Sequence, residues 1–153
     1  MSFFAKLHAL LVKIGSLLQT PALLVIRAFW GWQFIQTGTG KLRNLDKVAH
    51  YFASLNIPAP KLNALMAAST ETIGGALLIL GLCSRFASGA LIGVMCVAYY
   101  TADHEALVGI FSNPDKFFGA DPFLFLYASV LVFCFGPGKA ALDTFLFKDK
   151  APA

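Results

Sequence analysis

Residues 62–82 read LNALMAASTETIGGALLILGL, and this stretch decides the fold. It carries one formal charge, Glu71, and its length is close to the ~20 residues that cross a hydrocarbon core about 30 Å thick. By helical rise Glu71 sits about 13–16 Å from either end, near the bilayer middle. A bare carboxylate there costs roughly 2.5–3.5 kcal/mol on insertion scales. It therefore has to face other helices and be either protonated or paired. Ala64, Ala67, Ala68, Gly74 and Gly75 share its side at steps of three and four, which lets another helix backbone come close.

Working outward, three more apolar stretches follow the same rule. Leu17 to Gly38 holds one charge, Arg27; Phe86 to Ala102 holds none; Phe117 to Gly136 holds only Asp121, near its start. Thr20-Pro21 suits a helix entry, because threonine caps and proline at the first position loses no needed hydrogen bond. Gly136-Pro137-Gly138 reads as a helix stop. The expected spans are 20–38, 62–82, 86–102 and 118–136, within one domain over 20–147. Composition agrees: hydrophobic residues make up 58% and charged residues 13%, with a mean hydropathy of +0.70. That balance speaks against both a soluble enzyme and a disordered chain. The net charge of +4 is spread thinly, without the basic run that would track a nucleic acid. Cys83, Cys96 and Cys134 lie in apolar runs without a C-x-x-C and read as small hydrophobes.

Before the first span, Phe3, Phe4, Leu7, Leu10, Leu11, Ile14, Leu17 and Leu18 recur at helical spacing, with Lys6, His8, Lys13, Ser16 and Gln19 opposite. Residues 1–19 are expected to form an amphipathic helix on the membrane surface. A cleaved signal peptide is the competing reading, but the basic start is weak and no small-x-small cleavage site is evident. An even number of crossings puts both ends on one side. That side carries Lys6, Lys13, Arg85, Lys139, Lys148 and Lys150, against Lys41, Arg43, Lys47, Lys61 and Lys116 on the other. Six against five leans toward cytoplasmic termini. The expected fold is all-α: an integral membrane four-helix bundle preceded by an interfacial helix.

Arg27, about 9 Å into the first span, is the expected partner of Glu71. Such a pair either holds two helices in register or marks a functional site. Trp30, Gln33 and Thr37 follow Arg27 at steps of three and four, and Gly31 and Gly38 offer close packing. In the third span Gly89, Gly93, Cys96, Tyr100 and Asp103 form one stripe, with Tyr100 read either as an interface aromatic or as a ligand contact. An apolar interior with donors and one central acid suits a flat amphiphile with carbonyl acceptors, such as a quinone. Arg27, Trp30, Gln33 or Tyr100 could donate to its carbonyls, and Glu71 could exchange the accompanying proton. Neither haem nor metal is expected. The histidines do not face one another across helices, and Asp103-His104-Glu105 reads as a hydrated rim because three adjacent residues cannot face one ion on a regular helix.

These residues resemble the DoxX family of small four-span membrane proteins. The similarity rests on Arg27; Gly40-Lys41; Ile57-Pro58; Glu71-x-x-Gly74-Gly75; Gly81-Leu82-x-x-Arg85; Ala102-Asp103-x-Glu105-Ala106-Leu107; Pro122-Phe123-x-Phe125-Leu126; and Phe135-Gly136-Pro137-Gly138-x-x-x-Leu142-Asp143, in that order. The resemblance implies a bacterial inner-membrane protein related to a subunit of thiosulfate:quinone oxidoreductase or terminal quinol oxidase. It points to Arg27, Lys41, Glu71, Arg85 and Asp143, without saying which are catalytic; Lys41, Gly74, Gly75, Arg85, Gly136, Pro137 and Asp143 fit structural roles.

The leading expectation is a subunit of a quinone-linked assembly with its ligand near Glu71 and Arg27. The alternatives are a non-catalytic assembly subunit and, third, a small-solute or proton-coupled transporter. Expected partners are the lipid bilayer and either other membrane subunits or further copies of the chain. Any electron transfer would draw on a bound cofactor or another subunit.

Overall fold

Two glycines seven residues apart, Gly31 and Gly38, set how the first long helices meet. In a computed structural model, which describes residues 3–146, the elements are α1 (Phe3–Arg43), α2 (Leu45–Ser54), α3 (Pro60–Leu80), α4 (Ser84–Thr101), α5 (His104–Val108), α6 (Pro114–Phe118), α7 (Pro122–Phe135) and α8 (Leu142–Leu146). A β-carbon at Gly31 would lie 2.7 Å from the Gly75 carbonyl, and one at Gly38 would lie 2.7 Å from the Ala68 carbonyl. Residue numbers rise on one helix as they fall on the other, so α1 and α3 run antiparallel with their backbones nearly touching. The adjacent Gly74 faces the other way, onto Leu91 of α4. Consecutive glycines thus let α3 be clasped between α1 and α4. The bundle closes as α7 packs on both α4 and α1, while the short α2 lies against α3. Phe34, Leu78, Leu91, Met95 and Val132 fill the centre.

The chain is an all-α membrane protein. Two helices, α1 and α3, are long and apolar enough to cross a bilayer, and no strand occurs among the described residues. The second and third expected spans correspond to α3 and α4 within two residues. The fourth is shorter than expected, because Gly119 ends α6 and Pro122 starts α7 afresh.

The helix start expected at Thr20-Pro21 does not occur: α1 continues through Pro21 for 41 residues. Proline removes one bond of the ladder, and Leu17, Leu18 and Gln19 are good helix formers that carry the helix across it. The bundle portion begins at Leu23, the first buried residue; every side chain from Phe3 to Gln19 is exposed.

The stripe expected to face inward on α4 is also corrected. Its buried face is Ser84, Ala87, Ser88, Leu91, Met95 and Tyr99; Cys96 and Tyr100 are exposed, while Gly93 and Asp103 of the expected stripe border the cavity described below. Leucine, methionine and tyrosine fill the space between helices; a glycine row would leave it empty.

Candidate functional site

Antiparallel register decides which cation meets Glu71. Since Gly38 lies against Ala68 and Thr72, the α1 residue one turn further on, Lys41, reaches the carboxylate. Lys41 Nζ donates to Glu71 Oε1 at 2.5 Å. The carboxylate side chain is 1% exposed and the lysine 34%, so the acid stands behind the base. Glu71 Oε2 is buried without a hydrogen-bond partner among the described residues. The expected pairing of Glu71 with Arg27 is therefore overturned. Arg27 and Lys41 are 14 residues apart, about 20 Å along α1.

Arg27 serves the opposite end of the bundle. It is 1% exposed, and its Nη2 donates to the Ala140 carbonyl at 2.6 Å, while Nε and Nη1 have no hydrogen-bond partner among the described residues. Gly81, in the left-handed conformation at φ +67°, packs directly on this guanidinium. Next to it, Asp143 accepts from the backbone N–H groups of Cys83 (2.6 Å) and Ser84 (2.8 Å). The α4 N-terminus thus receives from the far end of the chain the carboxylate cap that Cys83 cannot supply. Arg85 is exposed beside Gly136, whose φ of +76° turns the chain out of α7, and Gly138 repeats that conformation after Pro137. Arg27, Arg85 and Asp143 therefore organise one end and do not meet Glu71.

Above Lys41 and Glu71 opens a cavity of about 730 Å³ between α2, α3, α4 and the start of α7. Thr37, Thr70, Asp103 and Asp121 add polar groups; Phe52, Met66, Met95 and Phe125 belong to its apolar walls. Gly93 lines it too, and a β-carbon there would meet nothing within 4 Å. The cavity lies within the usual size of small-ligand sites, roughly 300–1,000 Å³. A shallower polar depression of about 480 Å³ lies at Asp103, His104, Glu105 and Lys116. It has no buried charge, and Lys116 is paired there with Glu105 at 2.5 Å.

The remaining expected contacts divide. Trp30 is half-buried and packs edge-on against Phe125 at 5.1 Å, behind the cavity wall and outside its lining. Gln33 is half-buried, makes no side-chain hydrogen bond among the described residues and is likewise outside the lining. Tyr100 is 67% exposed and meets His104 edge-on, which leaves it no place in the cavity. Its neighbour Tyr99 is the buried one: it stacks on Phe117 and donates its hydroxyl to the Phe117 carbonyl at 2.8 Å. The signal for Tyr99 was its helical spacing from Leu91 and Met95.

The α2 wall is tied at its outer edge by Lys61 Nζ to Asp46 Oδ1, 2.9 Å apart. Hydrogen bonding and then the charge of Lys61 hold the Asp46 carboxyl below its usual range, and the same contact raises the lysine.

Comparison with known proteins fits this architecture. Residues 22–104 match the family model for DoxX. An uncharacterized protein of Haemophilus influenzae is 26% identical over 131 residues, covering 83% of this chain and 84% of that protein. No solved structure matches the chain.

Proposed function

Because the chain belongs to the DoxX family, we propose that it is an integral membrane subunit of a quinone-linked redox assembly, holding a quinone or similar amphiphile against Lys41. The observation carrying this reading is an ion pair with a fully buried acid, Glu71, at an otherwise largely apolar cavity.

The residues fit such a group. Lys41 Nζ, partly exposed, can donate to a carbonyl oxygen of the head. Glu71 positions that ammonium and balances its charge. Phe52, Met66, Met95 and Phe125 keep water from the ring. Asp103 and Asp121 at the same cavity disfavour an anionic head such as a phosphate. A bound quinone supplies the redox chemistry; the chain supplies binding, orientation and a route for protons through Lys41 and Glu71. This reading sets α1, α3, α4 and the shorter α7 across a bacterial inner membrane, with both ends cytoplasmic, in line with the lysine and arginine count.

The test is titration of the purified chain in nanodiscs with a short-chain benzoquinone, followed by quenching of tryptophan fluorescence. Charge-assisted hydrogen bonds are worth about 1.5–3 kcal/mol, so Lys41→Met is expected to weaken binding about 10- to 150-fold. Glu71→Gln should weaken it less, because the lysine remains. Unchanged affinity in both variants overturns the proposal.

A further inference from the structure

From Phe3 to Gln19, the side chains of α1 stand exposed, uncovered by the other described residues. Phe4, Leu7, Leu11, Ile14 and Leu18 are 42–77% exposed and lie in one row at steps of three and four. Carried on at the same steps, the row passes Ala22 and reaches Val25, Phe29 and Trp32, which are 54–65% exposed. Those last three stand on the face of α1 turned away from Gly31, Phe34 and Gly38, the residues buried against its neighbours. The exposed row of the arm is therefore a continuation of the outward face of a membrane helix and not of the core.

The polar residues bordering the row have one sign. Lys6 and Lys13, seven residues apart, share a flank, His8 lies on the other, and the first acidic residue of the chain is Asp46. At the same end of the bundle Arg85 and Lys139 are exposed, while Asp143 is occupied in capping α4. A second copy of this arm would bring lysines against lysines. We infer that the arm, Phe3 to Gln19, binds the anionic headgroup layer of the membrane in which the bundle sits. Its apolar row enters the acyl boundary, and its lysines reach lipid phosphates. α1 runs unbroken through Pro21, so for the arm to lie in the headgroup layer the helix has to bend on binding, and Pro21, where the ladder lacks one donor, is the weakest point for it to do so.

The experiment is hydrogen exchange, read by mass spectrometry, on the full chain in nanodiscs. Phosphatidylglycerol–phosphatidylcholine mixtures are compared with phosphatidylcholine alone. A lone helix of this length is marginal in water, so uncovered amides exchange fast. Each lysine near an anionic surface contributes a factor of about five, so protection over Leu7–Leu18 is expected to be about thirtyfold greater in the anionic discs. The difference should collapse in high salt and in a Lys6→Gln/Lys13→Gln variant. A Leu7→Ser/Leu11→Ser variant should lose protection in both lipids, while the exchange of α3 and α4 stays unchanged. Fast exchange in both lipids overturns the inference, as does equal protection in both. Protection that grows with the number of chains per disc also overturns it, because another copy would then be the cover.

Discussion

Replacing Gly75 with alanine tests the contact that places Lys41 beside Glu71. The added methyl carbon would lie 2.5 Å from the Gly31 carbonyl oxygen, 2.9 Å from Phe34 Cβ and 3.0 Å from the Ile35 nitrogen. Ordinary contact begins near 3.4 Å, so α1 and α3 must separate by about 0.9 Å. None of these atoms is the end of a flexible side chain, so the strain has no cheap outlet. Overpacking of this kind costs about 1–3 kcal/mol, and the contact here argues for the upper part of that range. Alanine regains about 1 kcal/mol of helix propensity over glycine, leaving a net loss of about 1–2 kcal/mol. Gly93→Ala is the matched control. Its methyl meets nothing, so only the propensity gain of about 1 kcal/mol remains. Denaturant-induced unfolding of the two variants in mixed micelles, followed by circular dichroism, measures both. If Gly75→Ala is as stable as the parent, or the two changes shift stability in the same direction, the close α1–α3 packing is wrong.

Three further outcomes follow from other parts of the structure. Gly93→Leu projects a side chain into open cavity space and should abolish benzoquinone quenching without lowering the unfolding midpoint. Asp143→Ala removes both side-chain acceptors from the first turn of α4 and should cost about 0.5–2 kcal/mol in the same unfolding assay, with faster exchange at Cys83 and Ser84. The Asp46–Lys61 tie should show a defined pH window. Asp46 is depressed, so its contribution is complete above the ordinary value of 3.8 and fades as pH falls through a lower one; Lys61 is raised, so its contribution fades only above 10.5. Exchange of the α2 amides, corrected for intrinsic rates, is expected to be flat between those limits and to accelerate on the acid side. Acceleration centred near neutrality refutes this.

The sequence made some of this visible because the signals are local. A single acid in an apolar run forced Glu71 inward, and Gly31, Gly38, Gly74 and Gly75 marked close approaches without reference to any other segment. What could not be read was register. Arg27 and Lys41 both lie on α1 within reach of a helix partner, and only the antiparallel offset fixed by Gly31 and Gly38 chooses Lys41. On α4, two stripes compete, and the glycine-and-tyrosine row through Tyr100 has the more conspicuous residues. Volume decided for Leu91, Met95 and Tyr99. The Thr20-Pro21 pair carried a correct local preference that the flanking leucines overrode. Asp143 is the extreme case: its role depends on two N–H groups 59 and 60 residues away.

That distant carboxylate bears on the order in which the protein is completed. When α3 and α4 emerge from the ribosome and enter the bilayer, the turn joining them has neither the cap for its amides nor the carbonyl of Ala140 that will occupy Arg27. Both arrive with the segment that follows α7, Ala140 in the loop and Asp143 in α8. Until then the older part of the molecule holds a naked cation and an open helix end, so its final tightening is timed by the synthesis of residues it touches last.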